Sequence, residues 1–140
     1  MTTYAPADAA RRSGFSIDTL RYYEKIGLVR DVRRDGAGRR LYDDGDLDWL
    51  GVLRCLRDTG MPIADMRRYA TLALATGSEA DATVPERLAL LEQHAEHVTS
   101  TLELLHRQQQ HLAEKIDYYR DLVRLAGQDP VAAVGGARAD

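Results

Sequence analysis

Residues 16–42 read SIDTLRYYEKIGLVRDVRRDGAGRRLY, and two kinds of local structure follow from them. Ser16 is a strong N-cap, Asp18 falls in the first turn where a helix favours negative charge, and Gly27 stands just past IDTLRYYEKI. This predicts a helix over residues 17–26. The chain then changes character: β-compatible Val29, Val32, Leu41 and Tyr42 flank the Gly-rich turn RDGAGR. A two-stranded wing with a basic tip is the expectation. Upstream, Pro6 suits the first turn of a short helix over 6–12, and Gly14 in SGFS supplies the permissive backbone of a tight turn. Two short helices around a Gly-containing turn have the pattern of a helix-turn-helix.

Downstream, Asp43 can cap a third helix over about 44–59 that Gly60 ends, and Pro62 opens a fourth running to about 75. The polar stretch TGSEADAT follows and marks a boundary. From Pro85 to Ala126 there is no Gly or Pro inside the segment. Alternating steps of three and four meet Leu88, Leu91, Ala95, Val98, Leu102, Leu105, Gln109, Leu112, Ile116, Tyr119, Val123 and Ala126. That is a heptad seam interrupted by Gln109. Burying its large apolar side chains at ~1.5–3 kcal/mol each makes roughly 13–27 kcal/mol of gross burial available to a partner. A lone exposed helix is a poor solution, and self-association through a coiled coil is the economical one. The expected organisation is a winged helix-turn-helix over 1–75, a linker over 76–84, a dimerisation helix over 85–126 and a flexible tail over 127–140. The fold class is mainly α.

Composition narrows the function. The hydrophobic share of 44% and charged share of 29% suit a folded, soluble chain. No run approaches the ~18 apolar residues of a membrane span, and the first residues show no signal-peptide core. A single cysteine fits a reducing compartment, so the expected location is the cytoplasm. The net charge of −3 hides a basic excess in residues 20–40, with seven basic and three acidic side chains. Nucleic acid responds to local charge, so an acidic total does not exclude it. In DTLRYYEK, Arg21 can bind guanine edges or phosphates through two nitrogens, and tyrosine hydroxyls commonly donate to phosphate oxygens. Leu20 and one of the tyrosines are expected to pack inward.

The segments DTLRYYEKIGLV, GRRLY and DLDWL…LRDTGMPIADM together resemble the mercury-resistance-regulator (MerR) family of bacterial transcription factors. The resemblance covers residues up to about 75, and the long C-terminal helix agrees in position with that family's antiparallel dimerisation helix. It implies a homodimer that places two recognition helices in successive major grooves of promoter DNA and acts with RNA polymerase. By the same resemblance Thr19, Arg21, Tyr22 and Tyr23 are recognition-helix contacts, Arg40 and Tyr42 are DNA contacts of the wing, and Arg57 is a phosphate contact. Arg39 departs from the family pattern, which commonly has an aromatic residue there, and adds charge to the wing. Such regulators bend and untwist an over-long promoter spacer, offsetting a deformation cost of several kcal/mol with protein–DNA contacts.

No metal and no cofactor is expected. Residues 76–140 hold no cysteine, and His94, His97, His106 and His111 form no closed ligand set, so exposed surface is the reading for them. Cys55, in VLRCLRDTGM, stands at the edge of a stripe formed by Leu50, Val52, Leu53 and Leu56. VLRCLRDTGM most resembles a family branch with a lone cysteine here that responds to aldehydes, other electrophiles or nitrosative stress. Two readings of Cys55 stay open: a reactive sensor, or a small apolar filler in the core. A thiol enzyme would want a resolving cysteine or a nearby base, and the sequence offers no second cysteine and no histidine outside the long helix. A coiled-coil adaptor whose basic domain binds a protein is the third possibility.

Overall fold

The structure is a computed structural model and describes residues 2–30, 32–76 and 78–128. Its described residues fall into two compact units, one ending at Val98 and the other beginning at Thr99. The first unit starts with β1 (Thr3–Tyr4) and α1 (Pro6–Ser13), followed by α2 (Ile17–Lys25). Ser16 caps α2, its hydroxyl accepting from the Thr19 amide at 3.0 Å. Between the two helices Gly14 adopts φ +80°. That conformation disfavours any side chain, and here a Cβ would also run into the guanidinium of Arg54, which donates to the Ser13 carbonyl at 3.1 Å.

The wing is β2 (Arg33–Arg34) and β3 (Arg40–Asp43), paired antiparallel with Arg33 opposite Leu41 and Arg34 opposite Arg40. β1 adds to the other edge of β3, with Tyr4 opposite Tyr42, giving a three-stranded sheet in the order β1-β3-β2. The local sequence pattern does not predict β1, and the first wing strand is shorter than its pattern suggests. Val29 and Val32 lie outside the ladder and are buried, because the chain leaving α2 needs apolar side chains to close the core there.

Asp43 begins α3 (Asp44–Asp58) through a reciprocal capping box: its carboxylate accepts from the Asp46 amide at 2.8 Å while Asp46 accepts from the Asp43 amide at 3.0 Å. Leu50, Leu53 and Leu56 of α3 are buried, whereas Val52 is 38% exposed and does not join the apolar face assigned to it. The Trp49 indole N–H donates to the Leu28 carbonyl at 2.7 Å and ties α3 to the turn after α2. Then come α4 (Ile63–Ala73) and α5 (Ser78–Ala82), the latter where a plain linker is expected. α6 (Val84–Gln128) begins with Pro85 in its first turn and runs through Gly127 rather than stopping there. The proposed tail beyond Gln128 lies outside the described residues. No helix among the described residues is long and apolar enough to cross a membrane.

The core gathers Ala9, Phe15, Leu20, Tyr23, Leu28, Tyr42, Leu50, Leu53, Met66 and Ala70, so every helix from α1 to α4 contributes to one apolar cluster. Leu91 of α6 packs against this cluster and is therefore not free to serve the seam alone. Leu88, Leu102, Leu105, Leu112, Ile116, Tyr119 and Val123 remain exposed, as does Gln109, while Val98 is half-buried.

Gly14→Ala is expected to lower unfolding stability by about 1–3 kcal/mol through backbone strain, with an added cost from displacing Arg54. In an Arg54→Ala background the collision disappears and the cost of Gly14→Ala should fall. Denaturant melts of the four proteins in this cycle test it, and an equal cost in both backgrounds would contradict the contact.

Candidate nucleic-acid interface

The period of α2 sorts its side chains. Leu20 and Tyr23 face the core at 2% and 4% exposure, and Tyr23 meets the Phe15 ring edge-on with centroids 5.2 Å apart. Arg21, Tyr22 and Lys25 are exposed. Thr19 is half-buried, its hydroxyl accepting from Ser16 at 2.9 Å. Tyr23 is thus the inward tyrosine and Tyr22 the outward one.

The basic tip of the wing is not a set of loose charges. Arg39 pairs with Asp35 at 3.1 Å, Arg33 with Asp43 at 3.0 Å, and Arg34 donates to the Gly38 carbonyl at 3.0 Å. Asp35 shapes the turn by accepting from the amides of Ala37 and Arg39, both at 2.9 Å. The Arg39 amide first, and the Ala37 amide and Arg39 guanidinium with it, hold the Asp35 carboxyl below the usual carboxylate range. Exposed surface pairs of this kind contribute little to stability and exchange readily for other partners.

Arg40 differs. Its Nε donates to Glu24 at 2.6 Å, and the side chains are 25% and 12% exposed. Burial opposes ionisation of Glu24, but the Val32 amide and the Arg40 guanidinium outweigh it and hold the carboxyl below its usual range. Tyr42 is buried to 1% exposure and so contributes mainly as a core residue rather than as an open surface contact. Burial pushes its hydroxyl pKa up and Glu24 adds to this, while Arg40 and Arg21 oppose it, so the group stays a proton donor. Arg21 and Glu24 of α2 and Arg40 and Tyr42 of β3 therefore form one neighbourhood. Three of the four stand out in the sequence as candidate contacts, and Glu24 does not. The signal that could have found it is a carboxylate set between Arg21 and Lys25 in the second half of the helix.

Arg57 lies over the Phe15 ring at 4.7 Å and pairs with Asp58 at 3.0 Å. Arg54 reaches the other oxygen of Asp58 at 3.1 Å, so both arginines are tied within the first unit, Arg54 to the helix-turn-helix turn itself. Donation by Arg57 first, then by Arg54, keeps the Asp58 carboxyl below its usual range. Arg57 is still partly exposed in this position.

Cys55 is exposed in the isolated chain, outside the apolar cluster that Leu53 and Leu56 join. One turn on, the Thr59 hydroxyl donates to the Cys55 carbonyl at 2.7 Å and lies 2.7 Å from His94 Nε2. His94 is accordingly half-buried and engaged, not open surface, whereas His97, His106 and His111 are exposed. Among the described residues no group of three or more His, Cys, Asp or Glu could hold a metal ion.

Comparison with known proteins gives this arrangement its context. Residues 4–72 match the family described as MerR HTH family regulatory protein. An uncharacterised HTH-type transcriptional regulator of Haemophilus influenzae is 39% identical over 118 residues, which span 84% of each chain. The HTH-type transcriptional regulator AdhR of Bacillus subtilis is 38% identical over 85 residues, 61% of this chain and 58% of AdhR. Among solved structures, HiNmlR, a MerR family regulator lacking the sensor domain and bound to promoter DNA, superimposes with a TM-score of 0.80. It is 37% identical, with 89% of this chain and 96% of that one covered. A MerR family transcriptional regulator from Bacillus thuringiensis reaches a TM-score of 0.74 at 27% identity, covering 84% of this chain and all of the other. All of these relatives are transcription regulators. With a winged helix-turn-helix, a long C-terminal helix and this degree of identity, the chain belongs to the MerR family of helix-turn-helix transcription regulators.

Proposed function

We propose that this regulator binds promoter DNA as a homodimer, with α2 in the major groove and the wing on the flanking backbone. The observation that carries this reading is the sorting of α2, which buries Leu20 and Tyr23 and turns Arg21, Tyr22 and Lys25 outward beside the wing. That HiNmlR is bound to promoter DNA supports it. Thr19, Arg21, Tyr22, Arg39, Arg40 and Arg57 are the contacts, with Tyr23 and Tyr42 as the rings on which those contacts rest. Residues 1–75 make the DNA-binding part, 76–84 the connection, and 85–126 the dimerisation helix.

The apolar stripe of α6 is the ground for the dimer. Leu102, Leu105, Leu112, Ile116, Tyr119 and Val123 are 46–73% exposed in the isolated chain. A second copy laid antiparallel would remove that surface from water at about 25 cal/mol per Å2. The dimer would present two recognition helices, bend the spacer and realign the promoter for RNA polymerase in the cytoplasm. Cys55 is the proposed effector site, reacting with aldehydes or other electrophiles, and its exposure is what favours this over a regulator with no thiol chemistry.

Three measurements test these parts separately. Arg21→Ala should weaken binding to the DNA upstream of the protein's own gene by about 1–3 kcal/mol and relax discrimination at one position, read by gel shift. Leu105→Asp should turn a sedimenting dimer into a monomer, because an unpaired carboxylate in the seam is costly to bury; a monomeric wild type would contradict the dimer outright. Cys55→Ser should leave dimerisation and DNA binding intact while abolishing reporter induction by aldehydes, since a hydroxyl is a poor nucleophile at neutral pH. Induction that survives this substitution would remove Cys55 from the response.

A further inference from the structure

A carboxylate in the recognition helix needs a reason. Glu24 follows Arg21 by three residues and precedes Lys25, on the helix that meets phosphates, where a negative charge by itself opposes association. Its contacts supply the reason. Oε1 accepts from Arg40 Nε at 2.6 Å, and Oε2 accepts from the Val32 backbone N–H at 3.0 Å. Val32 immediately precedes β2 and Arg40 opens β3, so one carboxylate on α2 grips both strands of the wing at their base. Glu24 occupies the Nε edge of the Arg40 guanidinium, and among the described residues no hydrogen bond is made by its Nη edge. A guanidinium offers five N–H donors in a fixed fork, so the Nη edge can serve a phosphate while Glu24 fixes its plane.

We propose that Glu24 is a positioning residue for DNA binding, clamping Arg40 and the base of the wing to α2 so that Arg21 in the groove and Arg40 on the backbone meet the DNA in one fixed register. The clamp explains why the pair is more enclosed than every other ion pair of the wing: Arg33 and Arg39 are 57% and 77% exposed, against 25% for Arg40. It also explains why Arg40 and not Arg39 is the wing arginine with a defined direction. Among the described residues Arg39 is held by Asp35 of its own turn, whereas Arg40 is held by Glu24 of α2. This inference rests on the DNA-binding reading above and adds a role for a residue that does not touch the DNA.

The test turns on the sign of one effect. Glu24→Gln removes a negative charge near phosphates, so electrostatics alone predicts tighter binding. The clamp predicts the opposite: the amide has lost the charge and keeps one acceptor oxygen, so it cannot hold Arg40 Nε and the Val32 N–H as the carboxylate does, and Kd for a labelled duplex of the DNA upstream of the protein's own gene should rise about tenfold, equivalent to ~1.4 kcal/mol. The dependence of log Kd on log salt should flatten by about one unit for each phosphate that is no longer neutralised. In an Arg40→Ala background only the Val32 N–H is left to hold, and Glu24→Gln should cost clearly less binding than it does with Arg40 present. Arg40→Lys retains the charge but not the fork, and should weaken binding as Glu24→Gln does. Circular dichroism melts confirm that each variant is folded at the assay temperature, and Arg40→Lys carries the test if Glu24→Gln is not. Folded Glu24→Gln that binds as tightly as wild type, Arg40→Lys that binds like wild type, or an equal loss from Glu24→Gln with and without Arg40 would each overturn the clamp while leaving the DNA-binding reading in place. A wild-type protein that binds no such duplex would overturn both.

Discussion

A nine-residue helix has no stability of its own in water, because the cost of its first turn is not recovered over so short a length. α2 exists only because Leu20 and Tyr23 are buried in the core they share with α3, and that single constraint orients everything on the DNA-facing side. Once Leu20 and Tyr23 are inward, the 3.6-residue period leaves Arg21, Tyr22 and Lys25 nowhere to go but out. α3 is the platform, supplying Leu50, Leu53 and Leu56 to the core. It also fixes the surrounding structure through three further contacts: Arg54 to the Ser13 carbonyl, Arg57 over Phe15, and the Trp49 indole to the Leu28 carbonyl. The helix-turn-helix is thus held from behind by a helix that carries the lone cysteine on its exposed side.

The electrostatics follow a related logic. The chain is acidic overall, and most arginines of the wing already have a carboxylate partner. Such pairs hold each guanidinium in place, and the exposed ones are weak enough to exchange for another anionic partner. The enclosed Glu24–Arg40 pair is the exception and behaves as part of the scaffold. α6 shows the same division between scaffold and surface. Its first turns contribute Leu91 to the core of the first unit, and beyond Val98 its large apolar residues are open to water in the isolated chain.

Much of this is legible in the sequence because it is local. Ser16, Gly14 and the Asp43 cap act within a few residues of themselves, and the α6 stripe is a pure periodicity, so turn chemistry and spacing are enough. What escapes is tertiary. β1 is two residues long and has no pattern of its own; it forms because β3 offers an edge. Val29 and Val32 look like strand residues, since β-branched side chains suit both a sheet and a core, and only packing decides between them. Tyr42 reads as a surface contact until the sheet turns its ring inward. The Glu24–Arg40 and Thr59–His94 contacts join residues 16 and 35 positions apart, and no local signal announces them. Cys55 admits two readings in the sequence because its exposure depends on how α3 packs, and in the isolated chain the thiol is exposed.

The central claim is that one fold presents a fixed helix-and-wing surface twice, on a symmetric dimer, to duplex DNA. Hydroxyl-radical footprinting of the full chain on the DNA upstream of its own gene tests this most directly. The account predicts two protected half-sites related by a two-fold axis, on one face of the duplex and separated by a whole number of turns of about 10.5 base pairs. A single unpaired patch of protection, or two patches without two-fold symmetry, would contradict it.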